Sequence, residues 1–205
     1  MSDPRSDTIA AYQADAAGYA AGTAALAGAR AAGRDEFARQ VGPGGRVLEI
    51  GSAAGLDARD LEERGLIVRR TDVTPAFVDL MRADGYDADV LDPLVDDLGG
   101  PWDGIWANAV LLHLARDEMP VVLARLAGAT RPDGTLYLSL KEGDGEAWST
   151  HGGVSAPRHF TYWREQPVRE ALTEAGWEVV VLRHTDGPRE PWLEILARRS
   201  DASAA

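Results

Sequence analysis

The sequence predicts a doubly wound α/β fold: a mostly parallel sheet of seven strands, an antiparallel last strand and an N-terminal helical cap. Apolar segments of strand length alternate with helical segments after residue 46, a pattern that places helices on both faces of a parallel sheet. The first forty residues are rich in alanine and show no strand pattern. The last two apolar segments are joined through residues 186–188, Asp-Gly-Pro, which favours an antiparallel hairpin.

Local signals define the individual elements. Tyr12 and Tyr19 are seven residues apart and share one helical face. Thr74 is a predicted helix cap, with Pro75 in the first helical position. Residues 132–134, Pro-Asp-Gly, predict a turn. Residues 141–164 follow neither the helical nor the strand period and are predicted to be irregular. The predicted helices are 8–20, 23–40, 57–65, 75–83, 117–129 and 167–175, and the predicted strands are 46–50, 66–71, 88–91, 103–107, 135–140, 177–182 and 192–197.

The length of 205 residues suffices for one domain with its own core. We expect a helical cap over 1–40, the main domain over 41–199 and a frayed tail over 200–205. The chain has no cysteine, which excludes disulfides, cysteine-ligated metals and a cysteine nucleophile. No ligand cluster predicts a metal site of another kind.

The net charge of −12 argues against a nucleic-acid partner, which would need a basic surface. The N-terminus lacks the apolar segment of a signal peptide. The longest apolar stretch, residues 105–115, is too short to span a bilayer. We therefore expect a cytoplasmic protein without a membrane partner, and the sequence leaves its oligomeric state open.

The most informative segment is Glu49-Ile-Gly-Ser-Ala-Ala-Gly-Leu-Asp57. It spans the end of the first strand, a glycine turn and the start of a helix, which is where α/β sheets bind ligands. A dinucleotide site would place its third glycine where Leu56 stands. The small residues fall instead at Gly51, Ala53 and Gly55. The acid at position 49 would repel a pyrophosphate, whereas it suits a cationic ligand.

This segment resembles the first motif of class I S-adenosylmethionine-dependent methyltransferases, which have a Rossmann-like fold. Three further segments are similar to that family in order and spacing: Asp72 at the end of the second strand, residues 103–113, and residues 126–139. The resemblance extends from about Tyr12 to Arg198. It departs from the family at Ala53, where glycine is commoner.

The resemblance implies S-adenosylmethionine as cofactor and S-adenosylhomocysteine as product. Asp72 would bind the ribose hydroxyls, because a carboxylate accepts two hydrogen bonds from a diol. Asp92 would contact the adenine, with Asp89 as its rival. The predicted cofactor-binding residues are Tyr19, Glu49, Gly51, Ser52, Ala53, Gly55, Asp57, Asp72, Val73, Leu91, Asp92, Asn108, Ala109 and His113.

Residues 141–164 are long for a connector and begin on the ligand side of the sheet. We interpret them as an acceptor-binding lid, with a packed connector as the alternative. The predicted acceptor-binding residues are Lys141, Glu142, Arg158, His159 and Tyr162. Tyr137 and Lys141 have the spacing of a dehydrogenase pair, but on a strand they would lie ~13 Å apart.

The predicted function is methyl transfer to an oxygen or nitrogen of a small-molecule acceptor. In-line displacement mainly requires positioning, and His159 or His113 is the candidate general base. The alternatives are a cofactor-binding regulatory protein without turnover and, less favoured, an NAD-dependent oxidoreductase. A nucleic-acid methyltransferase is disfavoured by the charge.

Overall fold

The computed structural model describes residues 3–23, 31–150 and 154–200. Its helices are α1 (Pro4–Thr23), α2 (Ala31–Val41), α3 (Leu56–Glu63), α4 (Pro75–Ala83), α5 (Glu118–Ala129) and α6 (Glu165–Glu174). Its strands are β1 (Arg46–Ile50), β2 (Ile67–Asp72), β3 (Ala88–Val90), β4 (Trp102–Ala107), β5 (Thr130–Lys141), β6 (Glu146–Ser149), β7 (Arg158–Thr161), β8 (Trp177–Asp186) and β9 (Pro191–Arg199).

Seven strands form the central sheet, in the order β3-β2-β1-β4-β5-β9-β8. Strands β1 to β5 are parallel, and β9 is antiparallel to both of its neighbours. This arrangement confirms the predicted fold class. The strand order reverses between β1 and β4, and such a switch point leaves a crevice at the carboxyl ends of the two strands.

Apolar side chains cover both faces of the sheet. One core packs α5 and α6 against the sheet, a second joins α2 and α3 to the opposite face, and a smaller one packs α4 on β3. In the second core, the Trp106 ring stacks on Tyr137 with centroids 3.8 Å apart, and Phe37 meets Trp106 edge-on. The sheet is therefore a rigid platform for side chains at its carboxyl edge.

The N-terminal segment is helical as predicted, with one interruption. Helix α1 contains a non-helical residue, Asp15, whose φ is −132°. The predicted second helix began at residue 23, and its residues 24–30 lie outside the described residues. Its remainder corresponds to α2. No helix in the described part of the chain is long and apolar enough to cross a membrane.

Two local predictions were wrong. Residues 141–164 are not irregular throughout, because β6 and β7 form a two-stranded antiparallel sheet; residues 151–153 lie outside the described ranges. Strand β7 is fully buried. Tertiary packing therefore stabilises this pair of strands, although the sequence does not show the apolar–polar alternation by which strands are predicted. The turn predicted at 132–134 lies inside β5, where Asp133 has φ 60° and the pairing with β4 shifts register.

Candidate active site

A cavity of about 540 Å³ lies at the carboxyl ends of β1, β2 and β4, and α1 forms part of its wall. Its volume falls within the usual range for small-molecule sites. Eleven of the predicted site residues line it: Tyr19, Glu49, Gly51, Ser52, Ala53, Asp57, Asp72, Val73, Asn108, Ala109 and His113.

The turn after β1 brings the backbone close to the cavity. Gly51 has φ 72°, and a Cβ at this position would lie 2.4 Å from Cγ2 of Val110. Ala53 also has a positive φ, of 47°. Gly55, at φ 71°, does not line the cavity and instead allows the chain to enter α3. A larger residue at position 51 would force Val110 to shift, so glycine is strongly favoured there.

Glu49 is a buried carboxyl group at the end of β1. Its Oε2 accepts a hydrogen bond from the Ser52 hydroxyl. Burial, helped by the nearby carboxylates of Asp57 and Asp72, raises the pKa of Glu49 to about 8 against the opposing effects of the Ser52 hydrogen bond and Arg70. A cationic group beside this carboxyl would favour its ionised form.

Asp72, at the end of β2, is held in place by backbone donors. Its Oδ2 accepts the Ala53 N–H at 3.0 Å, and its Oδ1 accepts the Thr74 N–H at 2.8 Å. Burial raises the pKa of Asp72 in spite of these hydrogen bonds. Each carboxylate oxygen keeps further acceptor capacity, which suits the recognition of a diol.

A polar network fixes the wall beneath the turn. The buried side chain of Arg34 pairs through Nη1 with Asp57 at 2.7 Å and through Nε with Asp60 at 2.8 Å. The second oxygen of Asp57 accepts hydrogen bonds from Trp106 Nε1 at 2.9 Å and Asn108 Nδ2 at 2.7 Å. Asp57 therefore acts as the centre of a network that orients Asn108.

The same network continues to β5. Ser139 donates to the side-chain carbonyl of Asn108 at 2.7 Å and accepts from the backbone N–H of Ala109 at 2.9 Å. Ala109 has φ 54°. Sequence reasoning missed Arg34, because no local signal connects an arginine of α2 with an aspartate 23 residues later.

The predicted adenine contacts lie outside the cavity wall. Leu91 is buried in the core and Asp92 forms an ion pair with Arg5 of α1. Neither residue lines the cavity. The rival, Asp89, is exposed and pairs with Arg69 at 2.9 Å.

His113 lies in a short 3₁₀ turn on the cavity wall, within a buried hydrogen-bond chain. Its Nδ1 is 2.7 Å from the carbonyl oxygen of His159, so that nitrogen carries the proton and donates. Its Nε2 accepts from the Tyr12 hydroxyl at 3.0 Å, and Arg158 donates to the same hydroxyl at 2.8 Å. Burial lowers the pKa of His113 to about 3, so the ring is neutral at physiological pH.

The predicted acceptor-binding residues do not line the cavity. Lys141 is buried and pairs with Glu190 at 2.5 Å. Tyr162 donates a hydrogen bond to the same carboxylate at 3.3 Å. Glu142 pairs with His184 at 2.9 Å. Each of these side chains is engaged in a contact away from the cavity.

Arg158 and His159, on β7, are also buried outside the cavity wall. Nε2 of His159 lies 3.2 Å from Glu146, and its backbone N–H donates to the Thr8 hydroxyl at 2.9 Å. These contacts connect β7 to β6 and to α1. Of the two predicted bases, only His113 lines the cavity.

Several lining residues were absent from the sequence prediction. They belong to α1, α4 and the β8–β9 hairpin, and include Thr8, Ile9, Phe77, residues 185–188, Trp192 and Glu194. The Gly-Pro tip of the hairpin is visible in the sequence as a turn. Its position beside the cavity depends on β9 entering the sheet next to β5.

Residues 21–182 match the family described as "Methyltransferase domain". No curated protein matches the chain. Among solved structures, the Burkholderia thailandensis 1,6-didemethyltoxoflavin-N1-methyltransferase is similar, with a TM-score of 0.74, 23% identity and coverage of 98% of this chain and 92% of that one.

Two further solved structures have the same fold. The N-methyltransferase NodS from Bradyrhizobium japonicum WM9 has a TM-score of 0.64 and 20% identity, and the match covers 84% of this chain and 95% of NodS. The [4+2]-cyclase SpnF has a TM-score of 0.66 and 17% identity, with coverage of 84% and 81%. At such identities the likeness shows the fold alone.

Proposed function

Because the chain belongs to the methyltransferase-domain family, we propose that its cavity binds S-adenosylmethionine and that it methylates a small-molecule acceptor. Membership of this family confirms the resemblance found in the four sequence segments. The observation that carries the cofactor proposal is the pair of buried carboxyl groups, Glu49 and Asp72, on either side of the glycine turn.

The residues of the cavity fit this cofactor. Asp72 has acceptor capacity for a ribose diol, and its backbone hydrogen bonds hold it beside the turn. Glu49 is a buried acid that a ligand ammonium group would ionise. The glycine at position 51 lets the turn pass close to Val110, which a Cβ at this position would meet at 2.4 Å. When bound, S-adenosylmethionine supplies an electrophilic methyl group.

The contribution of the protein is mainly positioning. The network around Asp57 fixes Asn108 and the turn, so little rearrangement is needed when ligands bind. His113 uses both ring nitrogens within the fold and has a pKa of about 3. It is therefore a weak base, and we propose that it orients Tyr12 instead of accepting the proton of the acceptor.

A small molecule is the favoured acceptor class. The cavity has the volume of a small-molecule site, and the net charge of −12 disfavours a nucleic acid. The methyltransferases described above are named for acting on small molecules or on nitrogen atoms. The fold itself does not determine the acceptor.

Calorimetric titration tests the cofactor proposal. We expect S-adenosylmethionine and S-adenosylhomocysteine to bind, and NAD not to bind. Asp72→Asn should weaken binding at least about tenfold, since one acceptor oxygen is lost. The matched control is Asp87→Asn, which removes an exposed carboxylate from the segment before strand β3 and should leave binding unchanged. Binding of NAD alone, or equal effects of the two variants, would contradict the proposal.

Turnover is measured separately, because a protein that binds the cofactor without transferring the methyl group would give the same titration result. We expect the protein to convert S-adenosylmethionine to S-adenosylhomocysteine in pools of small metabolites. Binding without conversion across chemically diverse pools would favour the alternative of a cofactor-binding protein without turnover. His113→Gln tests the role of the imidazole: a positioning role predicts that the pH dependence of turnover keeps its shape.

A further inference from the structure

The cavity extends along the sheet beyond the residues proposed to hold the cofactor. Apart from Tyr19 of α1, the cofactor residues on its wall belong to β1, β2 and β4 and to the segments that follow these strands. The wall continues at the β8–β9 hairpin with residues 185–188, Trp192 and Glu194. Strand β9 is four places from β2 in the sheet, so the hairpin lies ~19 Å from the end of β2 at ~4.8 Å per strand. The hairpin end of the cavity is therefore available to a second ligand.

The aromatic rings on the cavity wall differ in their position along the sheet. Tyr12, Tyr19 and Phe77 pack together, with ring centroids 5.1–5.7 Å apart. Phe77 belongs to α4, the helix that follows Asp72, so this group lies on the side of the proposed ribose site. Among the described residues of the wall, Trp192 is the only ring from a strand beyond β4 in the sheet. It is therefore the ring that a ligand at the hairpin end would meet.

The hairpin holds the Trp192 side chain in a defined position. The indole is partly buried and packs against the core that contains α5 and α6. Gly187, at the tip of the hairpin, passes so close that a Cβ there would lie 2.5 Å from Nε1 of the indole. The backbone of Trp192 pairs with Thr185 on one side and with Lys141 on the other. A ring that is fixed before the ligand arrives loses little conformational freedom on binding.

Side chains without a role in the proposed cofactor site also line the cavity. Ile9 comes from α1, and Leu111 and Leu114 come from the segment after β4. Aromatic and aliphatic walls bind flat rings by apolar burial, and a pair of aromatic rings gains stability beyond its buried area. Asp186, exposed on the hairpin, has a carboxylate that can accept a hydrogen bond from an O–H or N–H group of a ligand. These groups suit a flat ring that carries such a donor.

We propose, on the basis of the function proposed above, that the acceptor carries an aromatic ring and that this ring lies against Trp192 at the hairpin end of the cavity. Trp192 is then a residue that determines which acceptors bind, and Gly187 positions its indole. The interaction depends on the shape of the acceptor, because a saturated ring system with the same carbon skeleton does not lie flat against the indole.

Two neutral probes with the same carbon skeleton test this proposal. Protein saturated with S-adenosylhomocysteine is titrated at pH 7 with 2-naphthol, whose rings are flat, and with decahydro-2-naphthol, whose rings are not. We expect 2-naphthol to bind at least about threefold more tightly. Equal affinities, tighter binding of the saturated alcohol, or no binding of 2-naphthol would overturn the proposal.

Variants at position 192 locate the probe within the cavity. Trp192→Leu should weaken the binding of 2-naphthol at least about threefold, and Trp192→Phe, which keeps a ring, should retain the preference for the flat probe. The matched control is Trp148→Leu, which removes an exposed indole that does not line the cavity and should change neither affinity. Equal effects of the two leucine variants, or loss of S-adenosylhomocysteine binding in Trp192→Leu, would overturn the proposal.

Gly187→Ala displaces the indole without removing it, because the added Cβ would meet Nε1 of Trp192. This variant should bind 2-naphthol at least about threefold more weakly and still bind S-adenosylhomocysteine. The matched control is Gly128→Ala in α5, where a Cβ would have no neighbour within 4 Å. Equal effects of the two alanine variants would overturn the role proposed for the hairpin. Failure of the wild type to bind S-adenosylhomocysteine refutes the proposed function, whereas binding of 2-naphthol that does not depend on residue 192 refutes only the present inference.

Discussion

The buried carboxyl group of Glu49 makes the stability of the ligand-free protein depend on pH. Its pKa is raised from 4.5 to about 8 in the folded state. A group with a raised folded pKa binds its proton more tightly when folded, so stability falls as pH rises through this range. The full shift corresponds to about 5 kcal/mol, of which about 4 kcal/mol falls between pH 5 and pH 9.

Glu49→Gln removes this titration and retains an acceptor for the Ser52 hydroxyl. Relative to the wild type, the variant should therefore gain about 4 kcal/mol of unfolding free energy between pH 5 and pH 9. Urea unfolding at a series of pH values measures this difference, and groups that do not interact with Glu49 contribute equally to both proteins.

The control is Glu63→Gln, which removes an exposed carboxylate from α3. Its stability should parallel that of the wild type at every pH. Parallel curves for Glu49→Gln as well would refute the reasoning, because they would mean that burial does not hold the proton on Glu49.

Two further predictions concern the turn and the cap. Gly51→Ala should destabilise the protein by about 1–3 kcal/mol more than Gly85→Ala in urea unfolding, because both have positive φ but only position 51 faces Val110 at close range. Equal losses would show that the close contact is relieved without cost. Tyr12→Phe should cost about 1–3 kcal/mol, since His113 loses its hydroxyl donor. An unchanged unfolding midpoint would contradict this estimate of the free energy that the hydrogen bond contributes.

Much of the fold could be predicted from local sequence because its signals are local. The apolar strand before Glu49, the small residues of the turn and Pro75 at the start of α4 act through neighbouring backbone. The positions at the ends of β1 and β2 follow from the fold class, since parallel strands present their carboxyl ends at one edge. Glu49 and Asp72 could therefore be predicted to lie at one site.

The partners of the predicted acceptor-binding residues could not be predicted from nearby sequence. Lys141 follows a buried strand on the ligand side, which the sequence shows. Its partner Glu190 lies 49 residues later, in a segment without a distinguishing pattern. Arg158 likewise meets Tyr12 across 146 residues. A cation's availability to a ligand depends on such distant partners, so sequence spacing cannot determine it.

The sequence by itself determined the α/β alternation, the glycine turn and the acidic strand ends, because each depends on residues close together in the chain. Only the tertiary structure decided that β6 and β7 pair, that Arg34 neutralises Asp57, and that the β8–β9 hairpin reaches the cavity. These features result from the packing of distant segments, and the free energy of each contact depends on burial that no local pattern encodes.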